Sequence, residues 1–163
     1  MKKAAKNNNI YAEAKEHALA PYRFAVEGSY DAEACVVFAD VLSDAARTAL
    51  GAACAGIGFA DPVLLDASVF AEAGGADGSR APDGLFEAVE ALDPLLLVVA
   101  DASAAALMGD AYRDSIGLDA HGFLFGRPYA AFSSFQRDLS DARSKQRDWA
   151  LFKAMRKSAD WLG

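Results

Sequence analysis

Residues 85–109 read LFEAVEALDPLLLVVADASAAALMG and residues 126–149 read GRPYAAFSSFQRDLSDARSKQRDW. These two stretches decide the fold class. Pro82-Asp83 opens a helix in which Leu85, Phe86, Val89 and Leu92 recur at helical spacing and so share one face. Asp93-Pro94 ends it. Residues 95–100 (LLLVVA) follow, apolar at every position, too short for an independent helix and suited to a strand buried on both faces. A short helix is expected over residues 103–108, stopped by Gly109. Residues 122–125 and 129–132 read as extended segments around Gly126-Arg127-Pro128. Residues 141–162 form a final amphipathic helix able to turn Trp149, Phe152, Met155 and Leu162 inward.

The same alternation runs backwards from Leu85. Residues 34–41 (ACVVFADV) and 62–67 (PVLLDA) read as strands. Between them lies a helix over residues 44–55, with Ser43 as its cap and Gly56 and Gly58 closing it. Residues 73–82 (AGGADGSRAP) have the composition of a loop. The first 30 residues form an N-terminal helical segment, helical over 11–26, broken at Pro21 and closed by Glu27-Gly28-Ser29. Strands alternating with helices imply a parallel sheet covered on both faces. The expectation is one α/β domain over residues 1–163: a three-layer α/β/α sandwich around a central, mainly parallel four-stranded sheet.

Bulk properties narrow the function classes. The 163 residues are enough for one domain with a sizeable core, and 53% hydrophobic with 24% charged residues is an ordinary globular balance. The longest apolar run, residues 94–100, is far too short to span a bilayer, and no apolar signal region follows the N-terminal lysines. Cys35 and Cys54 fall in a strand and a helix and read as buried, reduced thiols, which suits a cytoplasmic protein. With two histidines and no Cys/His cluster, neither a metal nor a cofactor is expected.

Charge is segregated along the chain. Residues 1–30 carry five Lys/Arg and three Glu, and residues 136–163 carry seven Lys/Arg and four Asp. The middle, residues 31–135, sets four Arg against sixteen Asp/Glu. Strand-end loops come mostly from that acidic middle, so DNA binding there begins with an electrostatic penalty.

In open α/β sheets, ligands bind outside the carboxyl ends of the strands. That rule selects Asp40 and Ser43 after the first core strand, Asp66 and Ser68 after the second, Asp101 after the third, and Ser133 and Ser134 after the last. Three aspartates at neighbouring strand ends suit a hard divalent cation, or else act as helix caps and turn formers. Ser133 and Ser134 lack a nucleophile elbow and have no evident tie to His121. Gly74-Gly75 and Gly78 match neither phosphate-binding glycine pattern.

The order of these segments resembles the uracil-DNA glycosylase superfamily over roughly residues 34–155. Residues 36–41 resemble its first core strand, 63–68 its second, 91–109 its third with the following helix, and 129–139 the strand and loop that carry its His-Pro-Ser motif. Residues 145–151 resemble the start of its last helix. The resemblance implies a glycosylase-like fold whose pocket sits at the strand ends. It also implies lost chemistry. Ala39-Asp40-Val41-Leu42-Ser43 stands where the family has its glycine-rich, water-activating loop, Asp66-Ala67-Ser68 where an Asn reads the uracil edge, and Ser133-Ser134-Phe135 where the His loop lies. The expectation is therefore a ligand- or partner-binding domain that has lost base excision. The alternative is a DNA glycosylase working through substituted residues such as Asp40, Asp66 and Ser133.

Overall fold

The computed structural model describes residues 2–71 and 81–160. Helix α1 (Lys2–Leu19) runs into a 3-10 turn (Ala20–Ala25) with Pro21 in its first turn, and then into a two-residue strand β1 (Val26–Glu27). Strand β2 (Ala34–Phe38), helix α2 (Asp44–Gly56) and strand β3 (Val63–Asp66) follow. After the short helix α3 (Ser68–Ala71) come α4 (Ala81–Leu92), β4 (Leu96–Val99) and α5 (Ala102–Tyr112). Strands β5 (Ala120–Leu124) and β6 (Arg127–Ala131), the one-turn helix α6 (Phe135–Asp138) and helix α7 (Ala142–Ser158) complete the described fold.

The sheet is six-stranded and mixed, in the order β1-β3-β2-β4-β6-β5. This corrects the expected four-stranded sheet. Strands β3, β2, β4 and β6 are mutually parallel, and an antiparallel strand is added at each edge. The β1 edge comes from the expected end of the helix and the first residue of its closing turn: Val26 pairs with Leu65 and Glu27 with Leu64. Two residues carry too little periodicity to announce a strand, so their state is set by the neighbour they dock on. The β5 edge is a hairpin. Its turn, Phe125-Gly126, has positive φ at both residues (51° and 85°), the geometry that lets a two-residue loop follow strand twist. Phe125 is a poor residue for that conformation. Its ring packs at 5.8 Å from Phe86 and 5.9 Å from Tyr112, contacts that offset the backbone strain.

Alternation along the strands divides the core in two. Cys35, Val37, Val63, Leu65, Leu97, Val99 and Tyr129 face one side, where Leu19 of α1, Leu85, Val89 and Leu92 of α4, and Met108 of α5 cover them. Val36, Phe38, Leu96, Val98, Ala130 and Phe132 face the other, under Leu50 and Cys54 of α2, Phe135 of α6, and Phe152 and Met155 of α7. Phe132, Phe135 and Phe152 form an aromatic knot with ring centroids 5.5–6.1 Å apart. The chain leaves β2 toward β3 on the α2 side, and leaves β4 toward β6 on the α5 side. That change of direction with change of face keeps both crossovers of one hand.

Two further boundaries differ from expectation. Gly109 does not stop α5, which continues to Tyr112 and ends where Arg113 turns left-handed (φ 52°) and donates its N–H to the Gly109 carbonyl. A Cβ at Gly109 would lie 2.9 Å from the Asp114 carbonyl oxygen, so this glycine serves a close backbone approach rather than a helix stop. Trp149 is 38% exposed instead of core, while Phe152 and Met155 of the same helix are fully buried. Of the expected 73–82 loop, residues 73–80 lie outside the described residues, and Ala81-Pro82 begin α4. Leu162 also lies outside them.

Candidate functional site

The topological switch point lies between β2 and β4, adjacent parallel strands whose chain continues in opposite directions. Ligand crevices of doubly wound sheets open there. In this protein the crevice is spanned by a side chain. Asp101, the N-cap of α5 and 3% exposed, accepts the Ala104 N–H on Oδ1 at 2.8 Å. Its Oδ2 accepts the N–H groups of Ala39 (2.9 Å) and Asp40 (3.1 Å) at the end of β2. One carboxylate thus caps a helix and ties two strand ends together, and the amides a ligand anion would use already have an acceptor.

The neighbouring loops are fastened in the same way. Asp101 and Ser134 form an isolated antiparallel bridge, with Ala102 N–H on the Ser133 carbonyl (3.0 Å) and Phe135 N–H on the Ala100 carbonyl (2.9 Å). Ser134 caps α6 by accepting from Arg137 N–H at 3.2 Å. Ser43 caps α2 through Ala46 N–H (3.1 Å) and donates its own N–H to Gln136 Oε1 (2.6 Å). Asp66 accepts both the N–H (3.0 Å) and the hydroxyl (2.6 Å) of Ser68, closing the turn into α3. Asp40 is exposed and enters only through its backbone N–H. The sequence therefore places Asp40, Ser43, Asp66, Ser68, Asp101, Ser133 and Ser134 correctly at strand ends. What brings them there is capping and loop fastening. Asp40, Asp66 and Asp101 form no converging carboxylate trio.

Beside the closed crevice, at the ends of β2 and β3, lies an open cleft of about 220 Å³ whose walls include Phe24, Glu27, Phe38, Val41, Arg47 and Asp66. Phe24 and Val41 are strongly exposed, at 73% and 87%. Arg47 pairs with Glu27 and stands 5.8 Å from the Phe38 ring centre. The cleft thus offers aromatic walls and charged hydrogen-bonding groups of both signs.

A second constellation was not foreseen from the sequence. Asp119, just before β5, Asp138 on α6 and Asp148 on α7 each bring a carboxyl oxygen within 4.8 Å of the others. Among the described residues no other acidic or Cys/His trio converges in this way. The Arg147 guanidinium contacts all three, at 3.3 Å from Asp119, 3.0 Å from Asp138 and 3.3 Å from Asp148. A metal ion would have to displace that cation.

Ser133 joins this cluster. Its hydroxyl donates to Asp119 Oδ2 at 2.7 Å and its N–H to Oδ1 at 3.1 Å. Partial burial works to raise the Asp119 pKa, but the two Ser133 hydrogen bonds and the charges of Arg147 and Arg137 hold it below 3.8. So weak a base does not activate Ser133 as a nucleophile. Asp148 is driven the other way. Burial first, then the adjacent Asp138 carboxylate, push its carboxyl up to about 7 against the opposing pull of Arg147. These three aspartates lie 10 to 29 positions apart in the chain, so no spacing in the sequence could have revealed them.

Cys35 and Cys54 are both buried, and burial raises each thiol to about 12. Phe59 and Phe70 are core side chains at 7% and 4% exposure. No helix among the described residues is long and apolar enough to cross a membrane. No known family's sequence pattern matches this chain, and no curated protein is significantly similar to it.

Proposed function

We propose that this chain is a uracil-DNA glycosylase-like three-layer α/β/α domain that has lost base excision and serves as a small-ligand-binding protein. The observation that carries this reading is the Asp101 carboxylate, which accepts Ala39, Asp40 and Ala104 N–H groups across the switch point. Excision needs a positioned water and donors aimed at the departing base's developing charge. Here the first-loop amides are engaged by a protein carboxylate, which also repels a second anion. Ser133, where the family's His loop would lie, is held against a carboxylate instead of being free to donate. The acidic middle of the chain further opposes a DNA backbone.

Binding falls to the adjacent cleft of about 220 Å³ at the ends of β2 and β3. Its aromatic walls suit a flat ring, and Arg47, Glu27 and Asp66 suit one carrying both donors and acceptors, as a free nucleobase does. Two assays test the reading. Incubated with uracil-, hypoxanthine- and mismatch-containing DNA, the protein is expected to release no base. Titrated with free uracil and hypoxanthine, it is expected to shift the NMR signals of Phe38, Val41 and Arg47, and Arg47→Ala to weaken the response. Base release that Asp40→Ala or Ser133→Ala abolishes would restore the glycosylase alternative. Unshifted signals with every nucleobase would remove the ligand assignment.

A further inference from the structure

The acidic cluster that seats α7 on the loop after β6 has an unbalanced charge. Three carboxyl groups face one guanidinium, and that guanidinium is 47% exposed, so solvent weakens its hold. Asp148 is 2% exposed. Its Oδ1 receives only long contacts from Arg147, at 3.3 and 3.4 Å, and its Oδ2 meets no donor at all. A buried carboxylate oxygen without a donor is costly, and a second carboxylate beside it makes full ionisation costlier. Relief is at hand within the cluster. A proton held between Asp148 and Asp138 removes one negative charge and supplies the missing partner, the arrangement by which close carboxyl pairs elsewhere share one proton.

The surroundings leave no other group better placed to neutralise Asp148. Helix α6 contributes Asp138 and Arg137, whose charge acts on Asp119. Helix α7 contributes Arg147, Lys145 at the rim of the adjoining cleft, and the exposed Asp141 at its cap. The segment before β5 contributes Asp119, and β6 leads into Ser133. On β5, His121 pairs with Ala130 and so points to the α7 side, where it is exposed. Helix α2 lines the adjoining cleft with Ala49, Ala52 and Ala53 and brings no charge to it.

We propose that Asp138 and Asp148 share one proton that latches the first turns of α7 to the β6 loop, and that its loss as pH rises loosens them. What loosens is next to a cavity. A cleft of about 330 Å³ between α2 and α7 is walled by Phe135, Leu139, Trp149 and Phe152, with Asp148 on its wall, so release of the latch widens an apolar space. The direction follows from linkage. A carboxyl whose folded pKa is raised stabilises fully below its unfolded value and loses that contribution as pH climbs to the folded one. The window therefore opens above the ordinary 3.8 and closes at about 7. Asp119 and Asp141, both held below 3.8, are ionised in the folded protein throughout it, and the opposite slope they contribute fades by about pH 5, where the unfolded chain has released the same protons.

Amide hydrogen exchange, corrected for the intrinsic pH dependence of the rate, tests the device at about pH 5 and about pH 8. Residues 145–152 of the wild type are expected to lose at least about tenfold protection at the higher pH, while the central strands keep theirs. Asp148→Asn, which needs no proton, is expected to show equal protection at both values. Asp138→Asn removes the like charge and is expected to move the midpoint to lower pH. This second variant keeps the test decisive if the first does not fold. The proposal is overturned by wild-type protection that does not change, by an equal loss in Asp148→Asn, or by a loss spread evenly over the sheet. Recovery of protection at the higher pH on adding millimolar Mg²⁺ or Ca²⁺ would also overturn it, because the cluster would then be a cation site.

Discussion

Removing the Asp101 carboxylate should be among the most damaging single changes outside the apolar core. Three amides depend on it: Ala104 on Oδ1, Ala39 and Asp40 on Oδ2. Losing a helix cap costs about 1 kcal/mol, and stranding a poorly solvated donor costs about 1–3 kcal/mol. Ala39 is half-buried and Asp40 exposed, so water recovers part of the second bond and less of the first. Asp101→Ala is therefore expected to lose about 3–5 kcal/mol, a large part of a domain's usual 5–15. Asp101→Ser separates the two roles. Its hydroxyl can still cap α5 but is too short to reach β2, so about 2–3 kcal/mol should remain lost. Asp101→Asn has one acceptor oxygen for two sides, and its amide must face either the cap donor or the strand donors. Urea unfolding followed by far-ultraviolet circular dichroism measures all three. The reasoning fails if Asp101→Ala costs less than about 1 kcal/mol, or if Asp101→Ser matches the wild type.

Other outcomes follow from single contacts. Gly109→Ala should lose about 1–2 kcal/mol in urea despite alanine's higher helix propensity, because its Cβ would meet the Asp114 carbonyl oxygen at 2.9 Å. Phe132→Ala should lose about 3–5 kcal/mol by emptying the centre of the Phe132–Phe135–Phe152 knot, read as the shift of the unfolding midpoint. Cys35 and Cys54, pushed up to about 12 by burial, should resist a thiol-reactive aromatic disulfide at about pH 8 and react promptly once guanidinium unfolds the chain. Arg127→Ala should destabilise the joint between α4 and β6, since this half-buried side chain contacts Glu90, Asp93 (2.7 Å) and the Pro94 carbonyl (2.8 Å). Loss of about 3 kcal/mol or more in urea is expected because Glu90 keeps a partly buried charge, and Arg127→Lys should restore only part.

Much of the frame was legible in the chain. The apolar runs at residues 34–41 and 95–100 read as buried strands, which the structure forms over 34–38 and 96–99, and Ser43 read as the cap of α2, which it is. The edges were not legible. Val26–Glu27 is too short to carry a period, and α5 runs through Gly109 because a tertiary approach, not a helix end, required that glycine. The strand-end polar residues lie where the sequence put them, but their type alone left ligand binding open beside capping. Hydrogen-bond partners decided between them.

What the sequence determined by itself is therefore the α/β alternation, the parallel centre of the sheet and the strand ends where polar side chains gather. Those follow from periodicity and local turn chemistry, which act over a few residues. Tertiary structure alone decided that Asp101 closes the switch point from 62 positions beyond Ala39. It alone gathered Asp119, Asp138 and Asp148 around Arg147. Both depend on burial and on distances between residues far apart in the chain, and local pattern encodes neither.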